Sequence, residues 1–166
     1  MKQHYYITGF MGSGKTTIGQ ALAEELSFHV IDTDQWIEEQ EKQPISELFR
    51  TKGEPYFRKQ ETNALKTIAG QRLIITTGGG IVAKEENRQL MKEKGKIIYL
   101  KCDIEEILKR LEDDATRPLL QGKDKAKIEQ LFLTRKAYYE DADIIIDTTG
   151  RPVTDIVDEL KLVIDL

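Results

Sequence analysis

The chain has 166 residues, 33% of them charged and 39% hydrophobic, with a formal net charge of −4. That length suits one domain able to bury a core, and the acidic balance excludes a general attraction to nucleic acid or membrane surfaces. No apolar run is long enough to span a bilayer, the start lacks the apolar stretch of a signal peptide, and the single cysteine, Cys102, excludes an internal disulfide or a cysteine metal cluster, so a cytoplasmic protein is expected.

The first strand is predicted over His4–Thr8 (HYYIT). It runs into GFMGSGKT, where Gly9, Gly14, Lys15 and Thr16 have the spacing of a phosphate-binding loop. Gly9, Gly12 and Gly14 let the backbone turn tightly and approach a ligand closely. Successive N–H groups can then form an anion nest, reinforced by the dipole of the next helix. That helix is predicted over Thr16–Leu26, with Ile18, Ala21, Leu22 and Leu26 on one face. Gly12, Ser13, Gly14, Lys15, Thr16 and Thr17 are therefore candidate nucleotide contacts. Lys15 would reach the β- and γ-phosphates, and the Thr16 hydroxyl would face Mg2+.

A second strand, His29–Asp32, ends in the run VIDTD. Asp32 and Asp34 either share a face, if the strand continues, or fan out around one cavity, if the chain turns. One carboxylate could hold metal-bound water while the other takes a substrate hydroxyl proton. Thr33 or Asp34 could instead cap a helix over Gln35–Glu41. Further helices are predicted over Ile45–Arg50 and Pro55–Ile68. On the latter, Arg58 and Glu61 are three apart and so are neighbours, as an ordinary surface pair would be.

A third strand, Leu73–Thr76, precedes Gly78-Gly79-Gly80, which suits neither helix nor sheet and suggests backbone close to a ligand, or a bare turn. Helices over Glu85–Glu93 and Ile104–Leu111 flank a strand over Ile97–Lys101. The polar run DDATRPLLQGKDK reads as a surface loop whose Arg117 could close over a γ-phosphate. Arg135 lies in a predicted helix over Lys125–Tyr139, where a solvated face is the plain account, and Cys102 reads as a structural thiol. A strand over Ile144–Asp147 and a helix over Val153–Ile164 complete the chain. Strands alternating with helices predict a three-layer α/β/α fold with a five-stranded parallel sheet. Ligands should sit beyond the carboxyl ends of the strands.

A phosphate loop alone does not distinguish a kinase from a GTPase, but no Asn-Lys-x-Asp base-reading run occurs. Gly9–Thr16, Asp32-Thr33-Asp34, Gly53-Glu54 with Phe57-Arg58 and Glu61, Gly78–Gly80, Arg117–Leu120, and Arg135 with Tyr138 together resemble shikimate kinase, in order, from about Tyr6 to Pro152. The resemblance implies a P-loop fold like that of nucleoside monophosphate kinases, spread over residues 1–166 as a single domain, with a helical substrate-binding insert at about 34–61 and a mobile lid at about 112–124. It implies transfer of the γ-phosphoryl of ATP to the 3-hydroxyl of shikimate, with Mg2+, by a monomer without nucleic-acid or membrane partners.

The resemblance also implies roles. Asp34 would grip substrate hydroxyls and act as base, Lys15 would hold the phosphates, and Arg117 would close from the lid. Thr16 and Asp32 would serve the metal. Arg58 and Arg135 would bind the carboxylate, with Glu61 orienting Arg58. Gly79 and Gly80 would offer N–H groups, and Phe49 and Phe57 an apolar wall. Arg110 and Arg151 would flank the adenine. Thr76, where the family usually has Ser or Ala, and Trp36, where it often has an acidic residue, depart from the pattern without removing a functional group. A gluconate kinase would share the phosphate loop but not the combined set. A non-catalytic nucleotide-binding module would have little use for Asp34, Arg58 and Arg135 together.

Overall fold

The computed structural model describes residues 4–112 and 123–164. Strand β1 (His4–Thr8) lies in the middle of a five-stranded parallel sheet ordered β2-β3-β1-β4-β5. Its neighbours are β3 (Leu73–Thr76) and β4 (Gly95–Lys101), and the edges are β2 (His29–Asp32) and β5 (Ile144–Asp147). Every residue of β1 is buried, as expected for a central parallel strand covered on both faces.

The period of two along these strands divides the core into two layers. Tyr5, Ile7, Ile74, Ile98 and Leu100 face α1 (Lys15–Leu26) and α8 (Val153–Val163), packing on Leu22 and Leu160. Tyr6, Ile75, Ile97 and Tyr99 face the opposite way. They meet Leu65 of α4 (Glu54–Thr67), Met91 of α5 (Glu85–Lys94) and Tyr139 of α7 (Lys123–Glu140). Burying each such aliphatic side chain contributes about 1.5–3 kcal/mol. The layers hold the strand ends rigidly enough to carry a site. Among the described residues no helix is long and apolar enough to cross a membrane.

Between β2 and β3 the chain makes α2 (Thr33–Glu41), α3 (Ile45–Lys52) and α4. The first of these corrects the sequence reading in one respect. The helix starts at Thr33 rather than Gln35, and its N-cap is Asp32, not Thr33 or Asp34. Asp32 keeps extended dihedrals (φ −99°, ψ 128°) as the last strand residue, and an N-cap needs that same conformation. One residue therefore ends the strand and caps the helix. Residue Asp34 falls in the first helical turn. The sheet also begins earlier than expected at β4, at Gly95 rather than Ile97, and the glycine run leads into a short 3-10 turn, Ile81–Ala83. Helix α6 (Ile104–Glu112) follows β4.

Cys102 is 2% exposed. Its thiol donates to Glu106 (3.0 Å), and burial pushes its pKa up to about 11, which fits the structural role expected of it. Trp36 packs partly buried against the larger core layer.

Candidate active site

The loop after β1 is built as its sequence dictates. Gly12 (φ 77°) and Gly14 (φ 91°) take left-handed conformations that side chains rarely adopt. Gly14 is the N-cap of α1 and no side chain caps that helix, so its first N–H groups face the loop. Lys15 Nζ folds back and donates to the carbonyls of Gly9 (2.7 Å) and Phe10 (3.0 Å). Ser13 is buried, and its Oγ has no hydrogen-bond partner. Arg110 of α6 reaches the loop across 98 positions and donates to the Gly12 carbonyl (3.1 Å). Arg151 donates to the Asp147 carbonyl and pairs with Glu159 of α8, and its neighbour Gly150 donates to Glu106, which also pairs with Arg110. Arg117 falls outside the described residues.

Beside the loop is a cavity of about 340 Å³ lined by Lys15, Thr16, Thr17, Asp32, Asp34 and Gly78 among others. The two aspartates thus fan out around one space. Asp32 Oδ1 accepts from Gln35 N (3.0 Å) and Oδ2 accepts from the Thr76 hydroxyl (2.8 Å). Asp34 is less well satisfied, because its Oδ1 is buried without a partner. Burial first, then the neighbouring Asp32 charge, push its pKa up to about 6, against the pull of Lys15.

The three glycines each face a different functional side chain. A Cβ on Gly78 would lie 2.9 Å from Asp34 Oδ1 and 3.1 Å from Glu61 Oε2. On Gly79 it would lie 3.6 Å from Arg135 Nη1, and on Gly80 only 2.4 Å from Arg58 Nη1. Absent side chains at Gly78 and Gly80 are therefore what let the two acids and Arg58 approach this backbone, with Arg135 at contact distance beside Gly79. Glu61 is 1% exposed. Its Oε1 accepts from Arg58 (2.7 Å), whereas its Oε2 is buried and unpartnered. Burial raises its pKa and the Arg58 charge opposes the rise. Phe49 and Phe57 stand 5.0 Å apart, ring to ring, beside this group, with the Arg58 guanidinium over Phe57. From the far side, Tyr139 donates to the Gly79 carbonyl.

This constellation has donors for anions at two places, the phosphate loop and the arginine pair. It has carboxylate oxygens for hydroxyls between them. The donor set also fits a hard cation. Asp32 retains unused lone pairs, and it and Thr16, both oxygen donors, line the same cavity. No group of three or more acidic, histidine or cysteine side chains suited to a metal exists among the described residues.

The family model described as shikimate kinase matches residues 11–165. The chain belongs to the shikimate kinase family. It is 53% identical over 156 residues to a shikimate kinase of Bacillus cereus (strain AH187), covering 94% of each chain. The crystal structure of shikimate kinase from Bacteroides thetaiotaomicron superposes with a TM-score of 0.89 at 33% identity, covering 98% of both chains. That of Acinetobacter baumannii, in complex with shikimate, gives 0.87 at 34% identity, covering 96% of this chain and 90% of that one. The fold and family match the expectation from the ordered motifs.

Sequence reasoning had no role for Thr76 or Tyr139 as site residues, and gave Gly78 one only as part of a run close to a ligand. The signal for Tyr139 was present: an aromatic residue one helical turn after Arg135 lies on the same face. Gly78 was legible only as part of the glycine run, since which side chain each glycine faces is a tertiary fact.

Proposed function

We propose that this protein transfers the γ-phosphoryl group of ATP to the 3-hydroxyl of shikimate, giving shikimate 3-phosphate and ADP. The observation that carries the reading is the glycine run, against which two unpartnered carboxylate oxygens and two guanidinium groups converge. A small polyol with one carboxylate complements that set. Its hydroxyls would donate to Asp34 Oδ1 and Glu61 Oε2. Its carboxylate would meet the forks of Arg58 and Arg135, and its ring would lie on Phe49 and Phe57. Gly79 and Gly80 would offer backbone N–H groups. Glu61 keeps Arg58 oriented through its other oxygen. Residues 34–61 would form the substrate-binding insert of a single kinase domain.

On ATP binding, Lys15 would exchange the loop carbonyls for phosphate oxygens, beside the N–H groups of Gly12, Ser13 and Gly14 and the start of α1. Arg110, already on the loop, is poised to reach the nucleotide. Asp34 takes the proton of the attacking hydroxyl as the new O–P bond forms and ADP leaves. A pKa near 6 leaves it ionised at neutral pH yet basic enough for that task. Thr16 and Asp32 would hold Mg2+, which would offset the charge on the phosphates when bound.

Coupled ADP release measured with shikimate, with gluconate, and with shikimate whose carboxylate is converted to an amide tests the reading. Turnover is expected with shikimate, with a large loss for the amide. Faster turnover with gluconate would overturn the assignment.

A further inference from the structure

Helix α7 carries Arg135 and, one turn later, Tyr139. The Tyr139 side chain is 1% exposed. Its ring stacks on Tyr99 of the central sheet (5.2 Å, 12° between planes) and meets Phe10 of the phosphate loop edge-on. A ring held on two sides has no freedom to swing, so the position of its hydroxyl is set by the core. That hydroxyl donates to the carbonyl of Gly79, 60 positions away. Burial pushes its pKa up to about 12, opposed by the nearby charge of Arg135, so it remains a donor at neutral pH. Arg135 Nη1 in turn lies 3.6 Å from where a Gly79 side chain would begin.

We propose that Tyr139 is a positioning residue for phosphoryl transfer: its hydroxyl ties α7 to the glycine run, so that the Gly79 peptide and the Arg135 guanidinium meet the substrate as one unit. The chemistry follows from the peptide plane. Fixing the Gly79 carbonyl fixes the direction of the Gly80 N–H, because both belong to one planar amide. The run's other ties lie on either side of this peptide, Ile81 N–H to the Gly78 carbonyl (3.2 Å) and Ala83 N–H to the Gly80 carbonyl (3.2 Å), and glycines with no side chain to pack add no restraint of their own. Arg135 stands one turn before Tyr139 on the same helix, its Nη1 beside Gly79, so the tie from α7 to the glycine run also sets where the guanidinium stands relative to that backbone. One phenol thus helps to order a backbone donor and to place a cationic fork before the substrate arrives. The cost of ordering them is met by the fold instead.

This inference rests on the shikimate reading, and the experiment separates the two. Wild-type turnover with shikimate tests that reading alone. Tyr139→Phe then removes the hydroxyl and keeps the ring. The expected result is a ten- to hundredfold rise in the KM for shikimate, with the affinity for a non-hydrolysable ATP analogue unchanged within about twofold. In a cycle with Arg135→Ala, the two losses should be strongly non-additive, because the phenol acts partly through that arginine. Amide exchange at residues 79–81 should quicken in Tyr139→Phe in the absence of any ligand. An unchanged KM for shikimate would overturn the proposal. So would equal weakening of shikimate and ATP analogue, or strict additivity with Arg135→Ala. A Tyr139→Phe protein that no longer binds the ATP analogue would overturn it too, since the hydroxyl would then be a requirement of the fold.

Discussion

Replacing Gly80 with alanine isolates the arginine fork from everything around it. The added Cβ would lie 2.4 Å from Arg58 Nη1, 2.7 Å from Nη2 and 2.8 Å from Cζ. Unstrained contacts of this kind are on the order of 3.5 Å, so the guanidinium must retreat by about 1 Å. Gly80 has φ −94°, so alanine adds no backbone strain and keeps the N–H. Arg58 cannot abandon Glu61, because that carboxylate is 1% exposed and stranding it would cost about 3–5 kcal/mol. The side chain is therefore expected to pivot on Glu61 and lose its place at the substrate carboxylate. A charge-assisted contact of this kind is worth about 1.5–3 kcal/mol, roughly ten- to a hundredfold in binding. The assay is the KM for shikimate and for ATP in Gly80→Ala, Arg58→Ala and the double variant. Shikimate should suffer and ATP should not. In the Arg58→Ala background the extra methyl should cost less than about threefold, since the group it displaces is gone. A full, additive loss in that background would show that the methyl obstructs the substrate directly, and would refute the reasoning.

Asp34→Asn should abolish transfer while ATP binding persists. Its stability should move the opposite way. A folded pKa of about 6 against an ordinary 3.8 means the native state binds the proton more tightly, so this group's contribution is full below about pH 4 and lost as pH rises through 6. Asparagine escapes that loss, so denaturant unfolding should show the variant more stable by up to about 3 kcal/mol at pH 8, with the advantage vanishing towards pH 4. Lys15→Ala should lower turnover by about a thousandfold or more in a folded protein, measured by coupled ADP release. In Gly19→Ala the new Cβ would lie 2.5 Å from Thr76 Cγ2, so unfolding should show a loss of about 1–3 kcal/mol. Thr76→Ser, which removes that methyl and keeps a hydroxyl for Asp32, should restore most of it.

Much of the architecture was legible because local signals agreed. The β-branched run IIT at residues 74–76 and the polar-apolar spacing of α1 each specify their element without help from the rest of the chain. The boundary at Thr33 was not legible, because Asp32 satisfies strand and cap requirements together and the sequence shows only one residue with two uses. The site divides in the same way. Lys15, Thr16 and the aspartates follow from spacing within a turn or two. The partner of each glycine does not, since Arg58, Arg135 and Tyr139 reach the run from two helices whose placement depends on the whole core. The Arg110 contact to the phosphate loop spans 98 positions, which no local pattern encodes.

The buried, unpartnered oxygens beside Gly78 also bear on how the reaction ends. They are acceptors, and before transfer each would face a hydroxyl with a proton to give. After transfer, the oxygen next to Asp34 is an ester oxygen carrying a phosphoryl dianion and has no proton left. The proton is first held by Asp34; once Asp34 has passed it to solvent, acceptor meets acceptor inside a region with little solvent to screen them. The pocket that attracts the alcohol would thus repel its ester. Product departure would be driven by the same groups that hold the substrate, with no separate expulsion device.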